Sequence, residues 1–233
     1  MYFKCLYSSS EEVVAVAYDS LKATLAQQSK LPKDLLRSGL QPILMTLADR
    51  HRLTSAGLDG LAHLLQLLTN YFKVEIGIKL LDHLSALAEP AMLRRAAAGP
   101  LDTHEKLRIL TAIVRVFHLL PDTAYQFLPR LLVYVAEIES HLRRSGPTPL
   151  TDMLTLFLDH FSEHTVCYYF ESDGHVRFTD VLQNPRLFRL LRLALQSPRG
   201  ASLRRELSRR AETLFLPLLS DASNTQSAVS YTH

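Results

Sequence analysis

The sequence predicts an all-α fold of antiparallel helix pairs stacked side by side into a solenoid, and three observations predict it. Apolar residues recur at helical spacing along nearly all of the 233 residues, and no comparable run alternates apolar and polar residues as a strand would. Helix-pair start signals recur near Ser9, Thr54, Asp102 and Thr148, at intervals of about 45, 48 and 46 residues. The turns within pairs are short, which places consecutive helices antiparallel.

Two-helix units at a period of roughly 40–47 residues are the signature of HEAT-type repeats, in which each unit buries its apolar face against its neighbours alone. The first pair opens with Ser9 and Glu12, three apart as a capping box requires, ahead of a helix over Val13–Gln28. Its second helix runs from about Lys33 to Arg50 and is bent at Pro42. Thr54 then caps Ser55–Phe72, and Val74–Ala88 follows after a very short turn. Val13, Val14 and Val16 put an apolar face where the free end of an array would be polar, as expected of a slice from a longer solenoid.

The clearest amphipathic segment is Asp102–Leu120. Leu107, Leu110, Ile113, Val114 and Phe117 share one face, while His104, Arg108, Thr111, Arg115 and His118 share the other. Asp102 and Glu105 offer a second capping box. The partner helix spans Asp122 to about Arg144 with Leu128, Leu131, Leu132, Val135, Ile138 and Leu142 inward, and Pro129 predicts a kink near its start. Thr148 before Pro149 marks the next start, and helices follow over Pro149–Phe161, Glu163–Glu171, Thr179–Gln196 (reset at Pro185) and Ala201–Leu216. Residues 1–219 are thus expected to form the solenoid segment. The small polar stretch after Ser220 suggests a flexible tail over 220–233.

With 47% hydrophobic and 21% charged residues the chain has material for a continuous core. The net charge of +3 says little, but its distribution is uneven: nine Arg between His175 and Phe215 face Asp180, Glu206 and Glu212 alone. Arg186, Arg189 and Arg192 spiral along one predicted helix, and Arg204, Arg205, Arg209 and Arg210 cluster on the next. Such a surface is ordinarily solvated or spent on salt bridges between repeats. Arg186, Arg189, Arg205 and Arg209 are the candidate contacts for an acidic protein partner. Direct nucleic-acid contact is disfavoured, because interleaved aromatic residues and lysines are missing.

Cys5 and Cys167 lack CxxC spacing and read as two reduced thiols. No signal-peptide pattern opens the sequence, and no window approaches the ~18 apolar residues that span a bilayer, so a soluble intracellular protein without membrane contact is expected. His160, Glu163 and His164 match H-x-x-E-H, an inverted zinc-protease pattern. That chemistry needs both histidines on one helical face and a third ligand. Ser162 reads instead as an N-cap between two short helices, which breaks the alignment. No P-loop, kinase signature or GxSxG motif is present. No enzyme activity, catalytic residue, metal, cofactor or small-molecule substrate is therefore expected.

The stretch LQPILMTLADRHRLTSAGLDGLAHLLQLLTNYFKVEIGIKLLDHL, Leu40 to Leu84, resembles the transformation/transcription-domain-associated protein (TRRAP) family, which includes the fungal orthologues. The resemblance continues more loosely through VRVFHLLP, ending at Pro121, and through Pro147–Phe170. It implies a slice of the HEAT solenoid of a fungal member, upstream of the FAT and catalytically dead kinase-like domains. It further implies a nuclear scaffold that brings SAGA-like and nucleosome-acetyltransferase-like complexes to transcriptional activators. The expected partners are acidic activators and acetyltransferase-complex subunits. A generic HEAT adaptor for transport or a phosphatase is the alternative.

Overall fold

The computed structural model describes residues 2–6, 8, 10–27, 40, 41, 45, 47, 49–68, 74–172, 175, 176 and 180–216. Its helices fall into two compact units, Met1–Ala124 and Tyr125–His233.

In the first unit, α1 (Tyr2–Cys5) packs on α2 (Glu11–Gln27), and α3 (Ser55–Leu68), α4 (Glu75–Leu87), α5 (Pro90–Ala96) and α6 (Glu105–Val116) follow. Thr54 starts α3 as its sequence suggests, its Oγ1 accepting the Gly57 N–H at 3.0 Å. Leu58, Leu61, Leu64, Leu65 and Leu68 of α3 are buried, as are Leu80, Leu81 and Leu84 of α4. Helix α6 packs against both α3 and α4, the side-by-side contact that stacked pairs require. Ala112, Val114 and Val116 of α6 are buried with Leu107, Leu110 and Ile113, so its apolar stripe is wider than one face.

The second unit holds α7 (Leu128–Leu142), α8 (Pro149–His160), α9 (Ser162–Phe170), α10 (Asp180–Gln183), α11 (Pro185–Gln196) and α12 (Ala201–Arg209). Residues 211–216 are helical again. All six inward positions expected for α7 are buried. Helix α8 packs on α11 and α9 on α12, first helix on first and second on second. Tyr169 of α9, fully buried, donates its phenol to Leu187 O of α11 at 2.9 Å. Asp159 at the end of α8 accepts the Leu203 N–H at 2.8 Å and so caps α12 from a neighbouring helix.

The fold is an all-α helical repeat. A two-residue antiparallel pair, β1 (Glu171–Ser172) with β2 (His175–Val176), is a small addition the sequence pattern did not contain. Several local expectations are corrected. Residues 101–103 form a 3-10 turn and α6 starts at Glu105 without a side-chain cap, so Asp102 and Glu105 make no capping box. Glu105 instead accepts from Ser55 Oγ at 3.1 Å and pairs with Arg108. Pro129 is not inside a helix begun at Asp122, because the α-helix starts at Leu128. It lies in the first turn, where its missing N–H costs nothing, and the residues before it, Asp122–Phe127, are 3-10 helix. The helix from Ala201 is interrupted at Arg210 (φ −99°, ψ 4°). The Ser9 cap, most of the Lys33–Arg50 helix with its bend at Pro42, and the 220–233 tail lie outside the described residues.

Candidate interaction surface

The built polar feature of the second unit lies where α7 ends. Arg143 closes α7 in the left-handed conformation (φ 52°), its N–H bonded to Glu139 O at 3.1 Å. The chain then turns through 143–147 into Thr148, whose hydroxyl accepts the Thr151 N–H while its own N–H donates to Thr151 Oγ1. The same hydroxyl donates to Glu139 Oε1 at 2.5 Å. Glu139 is thereby buried, with 2% of its side chain exposed. Burial pushes its carboxyl above the ordinary carboxylate range, against the pull of Thr148 and Arg189.

Arg189 reaches into this place from α11. It donates to Glu139 Oε2 at 3.4 Å, to Arg144 O at 2.5 Å and to Gly146 O at 3.3 Å. One guanidinium thus pins the loop after α7 to α11. The result is a cleft of about 350 Å³ with Arg143, Arg144, Arg186 and Arg189 around Glu139, over Ala136 and Leu190.

The four arginines singled out by sequence do not behave alike. Arg186 is exposed and Arg205 is exposed. Arg189 is largely engaged internally. Arg209 forms a two-point contact with Glu206, at 2.9 and 2.7 Å, and that hydrogen bonding holds the Glu206 carboxyl below its usual range. Arg210 is a junction: it bonds Glu206, Glu163 and Glu171, and donates to Cys167 Sγ at 3.1 Å. Arg204 donates to Leu195 O and Ser197 O, closing α11. Ion pairs within and between helices thus engage Arg189, Arg209 and Arg210.

Arg143 and Arg144 were missed in the sequence. The run His141–Leu142–Arg143–Arg144 reads as ordinary basic closure of a helix C-terminus. The packing of α7 on α11, with the Arg189 contacts to Arg144 O and Gly146 O, brings them beside Arg186.

The H-x-x-E-H residues are divided among different partners. A break separates α8 from α9, with Phe161 at the N-cap position (φ −101°, ψ 42°) and Ser162 one residue inside, a shift from the expected cap. His164 stacks on Tyr125 with ring centroids 3.9 Å apart, His160 meets the Phe161 ring edge-on, and Glu163 pairs with Arg210. Among the described residues no group of three His, Cys, Asp or Glu is placed to hold a metal ion. No described helix is long and apolar enough to cross a membrane.

The first unit has a larger groove, about 750 Å³, beside Tyr18, Asp59, His63, Arg108 and Arg115. Arg115 pairs with Asp59, and the edge of the Tyr18–His63 contact closes one side. Burial first, then Arg115, holds the His63 imidazole below its ordinary value, with Asp59 opposing.

Stacked helix pairs of this kind define a class, the helical-repeat proteins. The chain belongs to the Tra1 HEAT repeat ring region family, whose match extends over residues 1–233. It is 44% identical over 189 residues to the SAGA complex/NuA4 acetyltransferase complex subunit Tra1 of Schizosaccharomyces pombe, covering 79% of this chain and 5% of that protein. It is 41% identical over 177 residues to the subunit of the same name in Saccharomyces cerevisiae, covering 76% of this chain and 5% of that protein. Identity to the transformation/transcription domain-associated protein of Danio rerio is 25% over 170 residues, covering 70% of this chain and 4% of that protein. The chain spans about a twentieth of the length of the fungal relatives it matches.

Proposed function

We propose that the chain is a non-catalytic part of a transcription-coactivator scaffold, working in the nucleus and bringing histone acetyltransferase complexes to activators. The observation that carries this reading is the family match along the whole chain, joined to fungal relatives named as subunits of SAGA and NuA4 acetyltransferase complexes. The stacked helices support it, because a scaffold needs broad rigid surface rather than an enclosed reaction site. Protein partners are the ligands of this reading: acetyltransferase-complex subunits and acidic activators, with Arg186, Arg189, Arg205 and Arg209 contributing the charge. Direct nucleic-acid contact is no part of it.

Within that set, Arg186 and Arg205 act on encounter with an acidic partner, and Arg189 acts through the shape it gives the loop after α7. The protein carrying this segment, purified through an affinity tag from its own cells, is expected to bring acetyltransferase subunits and histone acetylation activity with it. Arg186→Glu with Arg205→Glu is expected to slow association of an acidic activator peptide by about tenfold and flatten its salt dependence, since rim charges act mainly on the on-rate. Purification without acetyltransferase subunits would overturn the scaffold reading. Unchanged association rates would overturn the arginine contribution.

A further inference from the structure

We propose that the cleft between α7 and α11 docks a phosphorylated side chain, a phosphoserine or phosphothreonine carried on a protein partner. This goes beyond the coactivator reading and does not rest on it. Four arginines and one carboxylate line the cleft. The carboxylate, Glu139, is 2% exposed and already satisfied by Thr148 and Arg189. The charge offered at the mouth is therefore chiefly that of Arg143 and Arg186, both exposed. Neither Arg143 nor Arg186 makes an ion pair among the described residues.

The size of the site and its charge select the ligand. A cleft of about 350 Å³ has room for one or two side chains. An Asp or Glu side chain would bring a single negative charge to this arginine excess. A phosphorylated serine brings about −1.5 to −2 and three acceptor oxygens. Guanidinium forks take such oxygens two at a time, beside the apolar Ala136 and Leu190. No aromatic residue lines the cleft, so bases of a nucleic acid would find nothing to stack on.

The rim is also held in place before any ligand arrives. Arg143 ends α7 in the left-handed conformation, one of the common ways a helix terminates. Its N–H to Glu139 O and the grip of Arg189 on the Arg144 and Gly146 carbonyls maintain that turn.

The test uses the 233-residue chain, immobilised at low density, and three versions of one Gly/Ala-rich peptide with a central phosphoserine, serine or glutamate. The phosphoserine peptide is expected to bind at least about tenfold tighter than the other two. Arg143→Ala with Arg186→Ala should abolish that preference, and Arg186→Lys should keep only part of it, because the two-point fork is lost while the charge remains. Arg205→Ala with Arg209→Ala should leave it intact. If the Arg143 variant loses helix content, Arg186→Gln alone gives the reading, since that side chain is exposed. Equal binding of the glutamate peptide, tighter binding of a single-stranded RNA ten-mer, or an unaltered preference in the Arg186 variants would each overturn the proposal.

Discussion

Glu139 is a carboxylate withdrawn from water and held by Thr148 and Arg189. Removing it without replacement leaves the Arg189 guanidinium and the Thr148 hydroxyl short of an acceptor. Glu139→Ala should therefore lower unfolding stability by about 3 kcal/mol, read from urea denaturation. Glu139→Gln keeps an acceptor for Thr148 and should lose clearly less. The pH dependence has a definite sign. Because burial raises the carboxyl's affinity for its proton, the folded chain binds more protons than the unfolded chain between the ordinary carboxylate value and the raised one. This contribution is full below the ordinary value and is lost as pH rises through the folded one. Measured against Glu139→Gln as a pH-blind reference, the natural chain should gain stability on acidification. A constant difference between the two proteins would show that the burial has no such effect.

At the scale of elements, the turn between α11 and α12 rests on close backbone approach. A Cβ on Gly200 would stand 2.1 Å from Ala194 O, a backbone atom that cannot swing aside. Gly200→Ala should therefore destabilise the chain by about 1–3 kcal/mol through forced separation of the two helices, whereas Gly99→Ala, with open space around the new methyl, should not. Thermal melts of the two variants, compared side by side, check this. The sequence made most helices legible because burial acts on periodicity: every inward residue assigned to α7 is buried, and Thr54 and Thr148 begin helices where their hydroxyls suggest. What stayed illegible depends on contacts between distant segments. Asp102 was outcompeted by a 3-10 turn, and Glu105 turned to Ser55 fifty residues away. The break at Arg210 carries no glycine or proline; its side chain is instead held by four partners, among them Glu163 and Glu171 from α9 and β1. The candidate site was half legible for the same reason. Arg186 and Arg189 stood out by charge density, while Arg143 and Arg144 join them through the packing of α7 on α11 and the loop that Arg189 pins.

For the whole molecule the decisive feature is apolar surface left in water. In the first unit Val13 and Val16 of α2 are 43% and 66% exposed, and in the second Phe215 and Leu216 are 40% and 66% exposed. Val13 and Val16 stand three residues apart on one face of α2, and Phe215 and Leu216 are neighbours in sequence. A repeat scaffold normally covers such patches with the next repeat or a partner, because each unit can bury its faces only against a neighbour. The isolated chain is therefore expected to associate with itself as concentration rises. Light scattering over a dilution series should report a mass that climbs with concentration. Val13→Glu with Val16→Glu should return it toward the monomer without lowering the melting temperature appreciably, since neither side chain is part of the core. The same double change should leave phosphopeptide capture at the α7–α11 cleft untouched, because no residue of α2 lines it. A monomeric mass at every concentration would mean that these patches are too small to hold two chains together.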